Sequence, residues 1–383
     1  MVPEFARDLK SLPDDIWALG IYDAHCHVAD NYKRLSAARS LVRASKLIVM
    51  STRFHDQDRV HDVAVEFPDW IVPSFGYHPW FTHVLYTTPI PPQDKLAHYR
   101  SVLYPEPPED FLLKLPTPQS LSLFIESLIV NFERHPNAIL GEVGIDKSFR
   151  LLSSGDYVSF ELPDNTQGDF LLNEGSDPCL GDRIGLSLSP YRVQIAHQKD
   201  ILLAQLRVAA KYRRPASIHG VQAHGILYDT IKVLWENYPI LSRKKQKREE
   251  KEAARLQPTI DDNSAENTQP MEPPPPFPER ICLHSYTGPP DQIALWTNSR
   301  RVPIAVYFSF SVAINSRFGE KFKQVVRIVP QDRLLIESDF HVAGETMEGL
   351  LASIVLFVCE VRGWELKEGV QILGENYKRF LYG

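Results

Sequence analysis

The stretch Gly20-Ile21-Tyr22-Asp23-Ala24-His25-Cys26-His27 is a short apolar run that ends in two histidines one residue apart. In an extended strand, alternate side chains point to the same face, so His25 and His27 would direct both imidazole rings at one point. That arrangement lets two ligands reach one metal ion. A bare His-x-His also occurs on ordinary surfaces and in cores, so the interpretation depends on residues further along the chain.

Short apolar or β-branched runs of this kind recur along the chain, and helical patterns, such as 198–211 and 290–298, separate most of them. Strand alternating with helix indicates parallel pairing, and eight repeats favour a closed (β/α)8 TIM barrel over an open sheet. The predicted fold class is therefore α/β. The eight runs are 20–24, 46–51, 70–75, 138–143, 215–219, 281–285, 304–309 and 333–338.

The composition is that of a globular protein, since 43% of the 383 residues are hydrophobic and a well-buried core is within reach. The formal net charge of -6 offers no general attraction for nucleic acid or for an anionic membrane. A polyanionic substrate would therefore need a local positive site, such as a bound metal ion.

The cysteines and the apolar segments indicate the cellular compartment in which the protein is expected. The four cysteines are scattered and form no Cys-x-x-Cys pair, which favours a reducing environment. Residues 1–10 lack the long apolar core of a signal peptide. The longest apolar stretch, 349–361, is shorter than the about 20 residues that a membrane helix needs. We expect an intracellular protein, cytoplasmic or nuclear, without a membrane span.

Three stretches account for a length beyond the roughly 250 residues typical of such a barrel. Residues 80–118 are rich in proline, and residues 147–190 are rich in Gly, Ser and Asp. Residues 241–279 run from a basic hexamer into four prolines, a composition too poor in apolar surface to fold alone. We expect a single barrel domain over 1–383 with three long loop insertions, the last of them disordered.

The basic hexamer at 243–248 has two interpretations. It resembles a nuclear-import signal, and such runs also occur as solvated helix ends or loop surface. Replacing Lys244, Lys245 and Lys247 with alanine and following a fluorescent fusion protein decides between them.

Six ligand-type side chains stand where strand runs end, which is where the active sites of parallel barrels are built. Two follow the first run, and one each ends the fourth, fifth, sixth and eighth. The six are His25, His27, Glu142, His219, His284 and Asp339.

Four imidazoles and two carboxylates are enough ligands for two divalent ions, with the two oxygens of Glu142 able to bridge them. Two metal ions about 3.5 to 4 Å apart can activate a bound water and clamp the oxygens of a phosphoryl displacement. Asp339 could also orient or deprotonate that water, so Glu142 and Asp339 are the predicted catalytic residues. The ligand set suits Mg, Mn, Zn or Co without choosing among them. The alternative is a set of satisfied buried polar residues.

In their order along the chain, these motifs resemble those of the TatD family of metal-dependent deoxyribonucleases, a branch of the amidohydrolase-like barrels. The match is by motif order across most of the chain. Asp23 to His27 resembles D-x-H-x-H, Gly76-Tyr77-His78-Pro79 resembles G-x-H-P, Gly141 to Asp146 resembles G-E-x-G-L-D, Pro215 to His219 resembles the next ligand-bearing strand, His284 to Gly288 resembles H-C-F-S-G, Ile336 to Asp339 resembles E-T-D, and Asn376 to Phe380 resembles N-x-x-R-F.

The resemblance implies that the ligands divide between two metal ions. It also places His78 near the substrate phosphate, where the alternative is a loop-structuring role beside Pro79. By this resemblance His25, His27, Glu142 and Asp339 would serve one ion, and Glu142, His219 and His284 the other.

Two departures from the family pattern bear on the substrate. Val221 stands two residues after His219, where the family usually has an arginine, so a cation that holds phosphate is missing there. Phe340 and His341 follow Asp339, where a small residue and proline are common.

Further substrate-binding candidates follow from these departures and from the aromatic residues nearby. His224 and His341 are candidates to compensate for the missing arginine. Tyr286, and with less support Trp80 and Phe81, could stack on bases near the site. The alternative for these aromatics is an ordinary place in the core.

Three functions remain open. The first is a phosphodiesterase, a deoxyribonuclease acting on DNA ends or short nucleic acid by metal-bound hydroxide. The second is a catalytically weak protein that binds a protein partner through its inserts, which resemble those of a fungal TatD-like branch described as interacting with the anaphase-promoting complex. The third is hydrolysis of a non-nucleic substrate, such as an amide or a lactone.

Overall fold

The computed structural model describes residues 9–31, 35, 36, 38–88, 94–155, 187–238 and 273–383. Most of the predicted insertions at 147–190 and 241–279 lie outside these residues, and so does the basic hexamer at 243–248.

Eight parallel strands form one sheet, and their order in space is their order along the chain. Each predicted run overlaps one of these strands, so the predicted α/β fold is confirmed. The strands are β1 (Tyr22–Cys26), β2 (Lys46–Met50), β3 (Ile71–Phe75), β4 (Ile139–Asp146), β5 (Ala216–Val221), β6 (Arg280–Leu283), β7 (Ala305–Phe310) and β8 (Leu334–Ile336).

Backbone hydrogen bonds join the end of the last strand to the end of the first. Asp339 N donates to the carbonyl oxygen of His25 at 3.0 Å, and His27 N donates to the carbonyl oxygen of Phe340 at 2.8 Å. Because neighbouring strands also follow chain order, this seam completes a (β/α)8 barrel.

Helices alternate with the strands, as the apolar periodicity predicts. The helical patterns at 198–211 and 290–298 correspond to Ile195–Lys211 and Pro290–Trp296. Among the described residues, no helix combines the length and apolarity needed to cross a membrane. The helices are α1 (Asp14–Trp17), α2 (Gln57–Glu66), α3 (Lys95–Val102), α4 (Glu109–Lys114), α5 (Leu121–Arg134), α6 (Ile195–Lys211), α7 (His224–Lys232), α8 (Pro290–Trp296), α9 (Val312–Asn315), α10 (Gly319–Ile328), α11 (Glu345–Arg362) and α12 (Leu366–Tyr382).

The alternation of side chains along each strand divides the core into two layers. In β2, Leu47 and Val49 belong to the large cluster packed under the helices, whereas Ile48 and Met50 belong to a smaller cluster inside the barrel. The C-terminal helix α12 contributes Phe380 to this inner cluster, with its ring 5.4 Å from that of Tyr307. Side chains of this helix therefore close the barrel interior at the end where the strands begin, away from the site.

The described parts of the first two predicted insertions pack against each other. Leu103–Tyr104, in the first insertion, pairs antiparallel with Arg192–Val193, directly after the end of the second. A separate hydrophobic cluster joins α3 and α4 to the segment that follows β4, and we call it the accessory cluster. Its buried members are Tyr99, Val102, Leu103, Phe111, Leu112, Leu115, Phe149, Leu151 and Val193.

Candidate metal centre

The six predicted ligands meet at the carboxyl end of the barrel, around the buried carboxylate of Glu142. Glu142 Oε2 lies 3.4 Å from His25 Nε2 and 3.3 Å from His27 Nε2. Glu142 Oε1 lies 2.8 Å from both His219 Nδ1 and His284 Nε2. One carboxylate therefore lies between two groups of imidazoles, with one oxygen facing each group.

The first group, His25, His27 and Asp339, lies at the seam between β1 and β8, and we call it the seam half. The two Nε2 atoms are 3.3 Å apart, and Asp339 Oδ1 lies 3.8 Å from that of His25 and 3.6 Å from that of His27. Ser217 Oγ is hydrogen-bonded to His25 Nδ1 at 2.9 Å, which leaves the Nε2 atom of His25 directed at the centre.

The second group, His78, His219 and His284, comes from the ends of β3, β5 and β6, and we call it the β5–β6 half. His219 Nδ1 and His284 Nε2 are 3.2 Å apart. His78 Nε2 reaches Glu142 Oε1 at 3.1 Å, and His78 Nδ1 accepts a hydrogen bond from Trp80 N at 3.2 Å. His78 therefore both contacts the centre and caps the short helical turn Pro79–Val84.

The strand ends differ slightly from their predicted positions. β4 continues to Asp146 beyond Glu142, so Glu142 lies within the strand, while His284 follows the last residue of β6. Asp339 lies beyond the end of β8 with a φ of 51°, a left-handed conformation that non-glycine residues adopt rarely. The turn directs its carboxylate back toward the seam.

Two carboxylates that sequence reasoning missed support the β5–β6 half. Asp146 Oδ2 lies 3.2 Å from His219 Nε2 and accepts a hydrogen bond from Trp80 Nε1 at 2.6 Å. Glu337 is fully buried, with Oε1 3.6 Å from His284 Nδ1. Asp146 lies four residues after Glu142, and Glu337 lies two residues before Asp339. Residues an even number of positions apart on a strand point to the same face, and this spacing could have identified both carboxylates.

Burial and charge oppose each other at the centre. Burial alone would raise the pKa of Glu142, but the surrounding imidazoles, His78 foremost, hold that pKa well below its usual range. Burial would lower the pKa of His27, but the carboxylates of Glu142 and Asp339 outweigh it and raise that pKa to about 9. Burial raises the pKa of Asp339 to about 6.

The separations between ligand atoms fit a bound divalent cation. Metal–nitrogen bonds of about 2.0 to 2.1 Å place tetrahedral neighbours roughly 3.3 to 3.4 Å apart. His25 Nε2, His27 Nε2 and Glu142 Oε2 are 3.3, 3.3 and 3.4 Å from one another. The ligand atoms of His78, Glu142 and His219 also lie within 4.8 Å of one another. Imidazole nitrogen with carboxylate oxygen is a donor set that suits transition-metal ions.

A cavity of about 750 Å³ opens above the centre, and three of the four substrate-binding candidates line it: His78, His224 and His341. The fourth, Tyr286, is 3% exposed, and its ring packs against Phe308 with the centroids 5.1 Å apart. Its hydroxyl donates to the carbonyl oxygen of Pro289 at 3.0 Å. Tyr286 therefore supports the loop that follows β6, and its ring is not placed to stack on a base.

The walls of the cavity bring together residues from distant parts of the chain. Trp80 and Phe81 line it, and so does Phe149 of the accessory cluster, whose ring is stacked on that of Trp80 at 5.0 Å. Five cations that the sequence did not single out also line the cavity: Arg53, Arg59, Arg150, Arg317 and Lys321.

Histidines and carboxylates gathered at the carboxyl end of a (β/α)8 barrel define a metal-dependent hydrolase class of site. The chain belongs to the TatD-related DNase family, whose model matches residues 22–382.

Relatives agree with this assignment and place the chain in a fungal TatD-like branch. Cut9-interacting protein scn1 of Schizosaccharomyces pombe is 35% identical over 366 residues, which cover 94% of this chain and 98% of that protein. The uncharacterized deoxyribonuclease YMR262W of Saccharomyces cerevisiae is 26% identical over 328 residues, 84% of each chain. The crystal structure of YjjV, a TatD homolog from Escherichia coli, shares the fold with a TM-score of 0.53 at 17% identity, covering 95% of this chain and 98% of that one.

Proposed function

We propose that the protein is a metal-dependent phosphodiesterase that cleaves DNA or short nucleic acid at a centre of two divalent ions, Mg, Mn or Zn. The observation that carries this proposal is the division of one buried carboxylate, Glu142, between two groups of imidazoles. Membership of the TatD-related DNase family and the word deoxyribonuclease in the name of the yeast relative support DNA as the substrate.

The two halves of the site would hold one ion each, with Glu142 shared between them. When bound, two such ions supply charge neutralisation at phosphate and a more acidic water. His25, His27, Glu142 and Asp339 would hold the first ion, and Glu142, His219 and His284 the second.

Asp339 is the group placed to orient the attacking water and take its proton. Asp339 Oδ1 faces His25 and His27, while Oδ2 lies 3.3 Å from Ser285 Oγ, whose shorter hydrogen bond goes to Glu337 Oε1 at 2.5 Å. The carboxylate faces the same point as His25 and His27, so it is within reach of a water held there, which is the geometry that a general base needs.

His78 serves the substrate as a neutral hydrogen-bond donor. Its Nδ1 accepts from Trp80 N, so the proton is on Nε2, which faces Glu142 and the cavity. Burial lowers the pKa of His78 to about 4, which keeps the ring neutral at physiological pH. A phosphate oxygen at the centre would be within the reach of this donor.

The direct test compares cleavage of end-labelled oligonucleotides by wild type and by Glu142→Ala, each with Mg, Mn or Zn. Glu126→Ala, which removes an exposed carboxylate on α5, is the matched control. Wild type and the control should cleave and bind about two equivalents of metal. Glu142→Ala should lose more than about a hundredfold in activity. Removing a residue that supports a metal ligand costs about 10- to 100-fold, and removing the ligand itself should cost more. Equal cleavage by wild type and Glu142→Ala would refute the centre.

A second role, binding a protein partner in the cytoplasm or nucleus, is favoured by the 35% identity to a protein named for its interaction with Cut9. The accessory cluster brings two insertions together beside the cavity and supports a surface of that kind. Deleting 241–272, which keeps the buried Phe277 and β6 intact, and comparing affinity capture of the Cut9 counterpart by the deleted and the full-length protein tests this role. Loss of capture with oligonucleotide cleavage retained would assign binding to the insert. Unchanged capture would exclude that insert as the binding segment.

A further inference from the structure

We propose that Arg317 and Lys321 hold backbone phosphates of a single nucleic-acid strand in the cavity. The identity of the ligand rests on the proposed nuclease function. The placement of the two cations is independent of the metal centre.

Among the described residues, the part of the cavity wall that follows β5 carries no cationic side chain that could hold a phosphate. Val221 ends β5 and lines the cavity with an aliphatic side chain. His224, the nearby candidate to replace a cation, is half-buried with Nε2 3.3 Å from Thr287 Oγ1. Burial, with a further contribution from Lys321, lowers the pKa of His224 to about 4, so the ring is neutral at physiological pH.

The part of the cavity wall that follows β7, two strands along from β5, carries two exposed cations. Arg317 lies in the helical turn Ser316–Phe318, and Lys321 lies in the first turn of α10. The guanidinium carbon of Arg317 is 5.2 Å from the centroid of the Phe318 ring, and Lys321 Nζ is 5.6 Å from the same centroid. One aromatic ring thus orients both charges, because a cation is attracted to the face of an aromatic ring within about 6 Å.

Lys321 is also tied to the loop that carries a candidate metal ligand. Its Nζ donates to the carbonyl oxygen of Thr287 at 3.0 Å, in the segment that follows His284. A phosphate held by Lys321 would therefore have a fixed relation to the β5–β6 half of the centre.

The charges of Arg317 and Lys321 are not neutralised by a carboxylate within the described part of the chain. Their neighbour Lys323 differs, because its Nζ pairs with Glu320 at 2.9 Å. An uncompensated pair of cations at the mouth of a cavity attracts anions and concentrates them there.

The size of the cavity indicates what form of nucleic acid it accepts. About 750 Å³ is within the range of small-molecule sites. A strand end or a short single-stranded segment fits this volume, and an intact duplex does not. Phosphates that flank the scissile one would then lie near the rim, where Arg317 and Lys321 are.

The test measures binding of a fluorescein-labelled single-stranded hexanucleotide at several salt concentrations, in a Glu142→Gln background that prevents cleavage. Arg317→Gln/Lys321→Gln removes both charges and keeps polar side chains of similar length. We expect its Kd to rise about tenfold, as two exposed ion pairs allow. The slope of log Kd against log salt should fall by about 1.4, because two phosphate contacts are lost. Lys323→Gln, the matched control, should leave both values unchanged.

A second measurement separates this inference from the proposed function. In otherwise wild-type protein, Arg317→Gln/Lys321→Gln should raise KM for the oligonucleotide and leave hydrolysis of bis(4-nitrophenyl) phosphate, which has no flanking phosphates, unchanged. Binding that depends on the two cations without any cleavage would support the inference and refute the nuclease function. An unchanged salt slope, absence of binding by the parent protein, or equal loss on both substrates would overturn the inference.

Discussion

The two halves of the centre face the same carboxylate, but different chemistry supports them. In the seam half, a neutral hydroxyl, Ser217 Oγ, holds the outer nitrogen of His25. In the β5–β6 half, a carboxylate, Asp146, holds the outer nitrogen of His219. A carboxylate behind an imidazole raises its basicity and fixes its ring more strongly than a hydroxyl does. The β5–β6 half should therefore hold its metal ion more tightly.

The largest expected effect comes from removing one ligand in each half. His25→Ala and His284→Ala should each lose more than about a hundredfold in activity and keep about one equivalent of metal, because each half loses its own ion. The ion that remains in His25→Ala should resist a chelator longer than the ion that remains in His284→Ala. Metal analysis after dialysis against graded chelator measures both values.

His55→Ala is the control for these ligand variants, since His55 lines the cavity and is exposed. It should keep both metal equivalents. Two equivalents retained in His25→Ala or His284→Ala would contradict the division of the site.

The next effect tests how closely β4 and β5 pack beside the β5–β6 half. A Cβ atom at Gly144 would lie 2.0 Å from the carbonyl oxygen of His219. Gly144→Ala should therefore lower the free energy of unfolding by about 3 kcal/mol, measured by urea titration of the metal-free protein. Gly225→Ala, where the nearest atom is 3.8 Å away, should change it by less than about 1 kcal/mol. Equal effects would show that β4 and β5 can separate without cost.

A smaller effect is expected from removing Asp146 or Ser217, the residues that hold the outer nitrogens of His219 and His25. Asp146→Asn should weaken metal binding in the β5–β6 half by about 10- to 100-fold, as expected when a partner of a metal-binding histidine is removed. Ser217→Ala should weaken binding in the seam half by about fivefold, because a neutral hydrogen bond contributes roughly 1 kcal/mol. Competition against a fluorescent chelator measures both, and a larger effect for Ser217→Ala would reverse the proposed order of affinity.

The smallest effect concerns the outer partner of Asp146. Trp80→Phe removes the Nε1 donor to Asp146 and keeps an aromatic ring for the stack with Phe149. Metal affinity of the β5–β6 half should fall about twofold, the lower end of the value of one hydrogen bond, because Trp80 acts on the ion only through Asp146 and His219. Isothermal titration with Zn measures the change, and affinity equal to wild type would mean that Asp146 needs no support from Trp80.

Much of the barrel and the positions of the six candidate ligands could be predicted from local pattern. Apolar runs mark strands, and ligand-type residues at the ends of parallel strands must meet at one end of a barrel. Asp146, Glu337 and Ser217 were not predicted in a role, because a supporting residue is defined by what it touches. Ser217 contacts His25 across 192 positions of the chain.

The sequence predicted the residues around the cavity less well than the metal ligands, because their roles also depend on contacts between distant segments. Tyr286 has the chemistry of a stacking residue, but its ring is used in packing against Phe308. Arg317 and Lys321 carry no motif, and their common orientation depends on Phe318 and on the path of the chain after β7. Loops are held by contacts between distant segments, so their residues gain a function only from the fold.

The sequence by itself determined which strands form the barrel and which side chains reach its mouth, because the period of two and the position of a strand end are properties of neighbouring residues. The tertiary structure decided which groups stand behind each imidazole, which cations face the cavity, and how the accessory cluster forms one wall. Those features depend on contacts between parts of the chain far apart in sequence, where each contact is specified jointly by two segments and the packing between them.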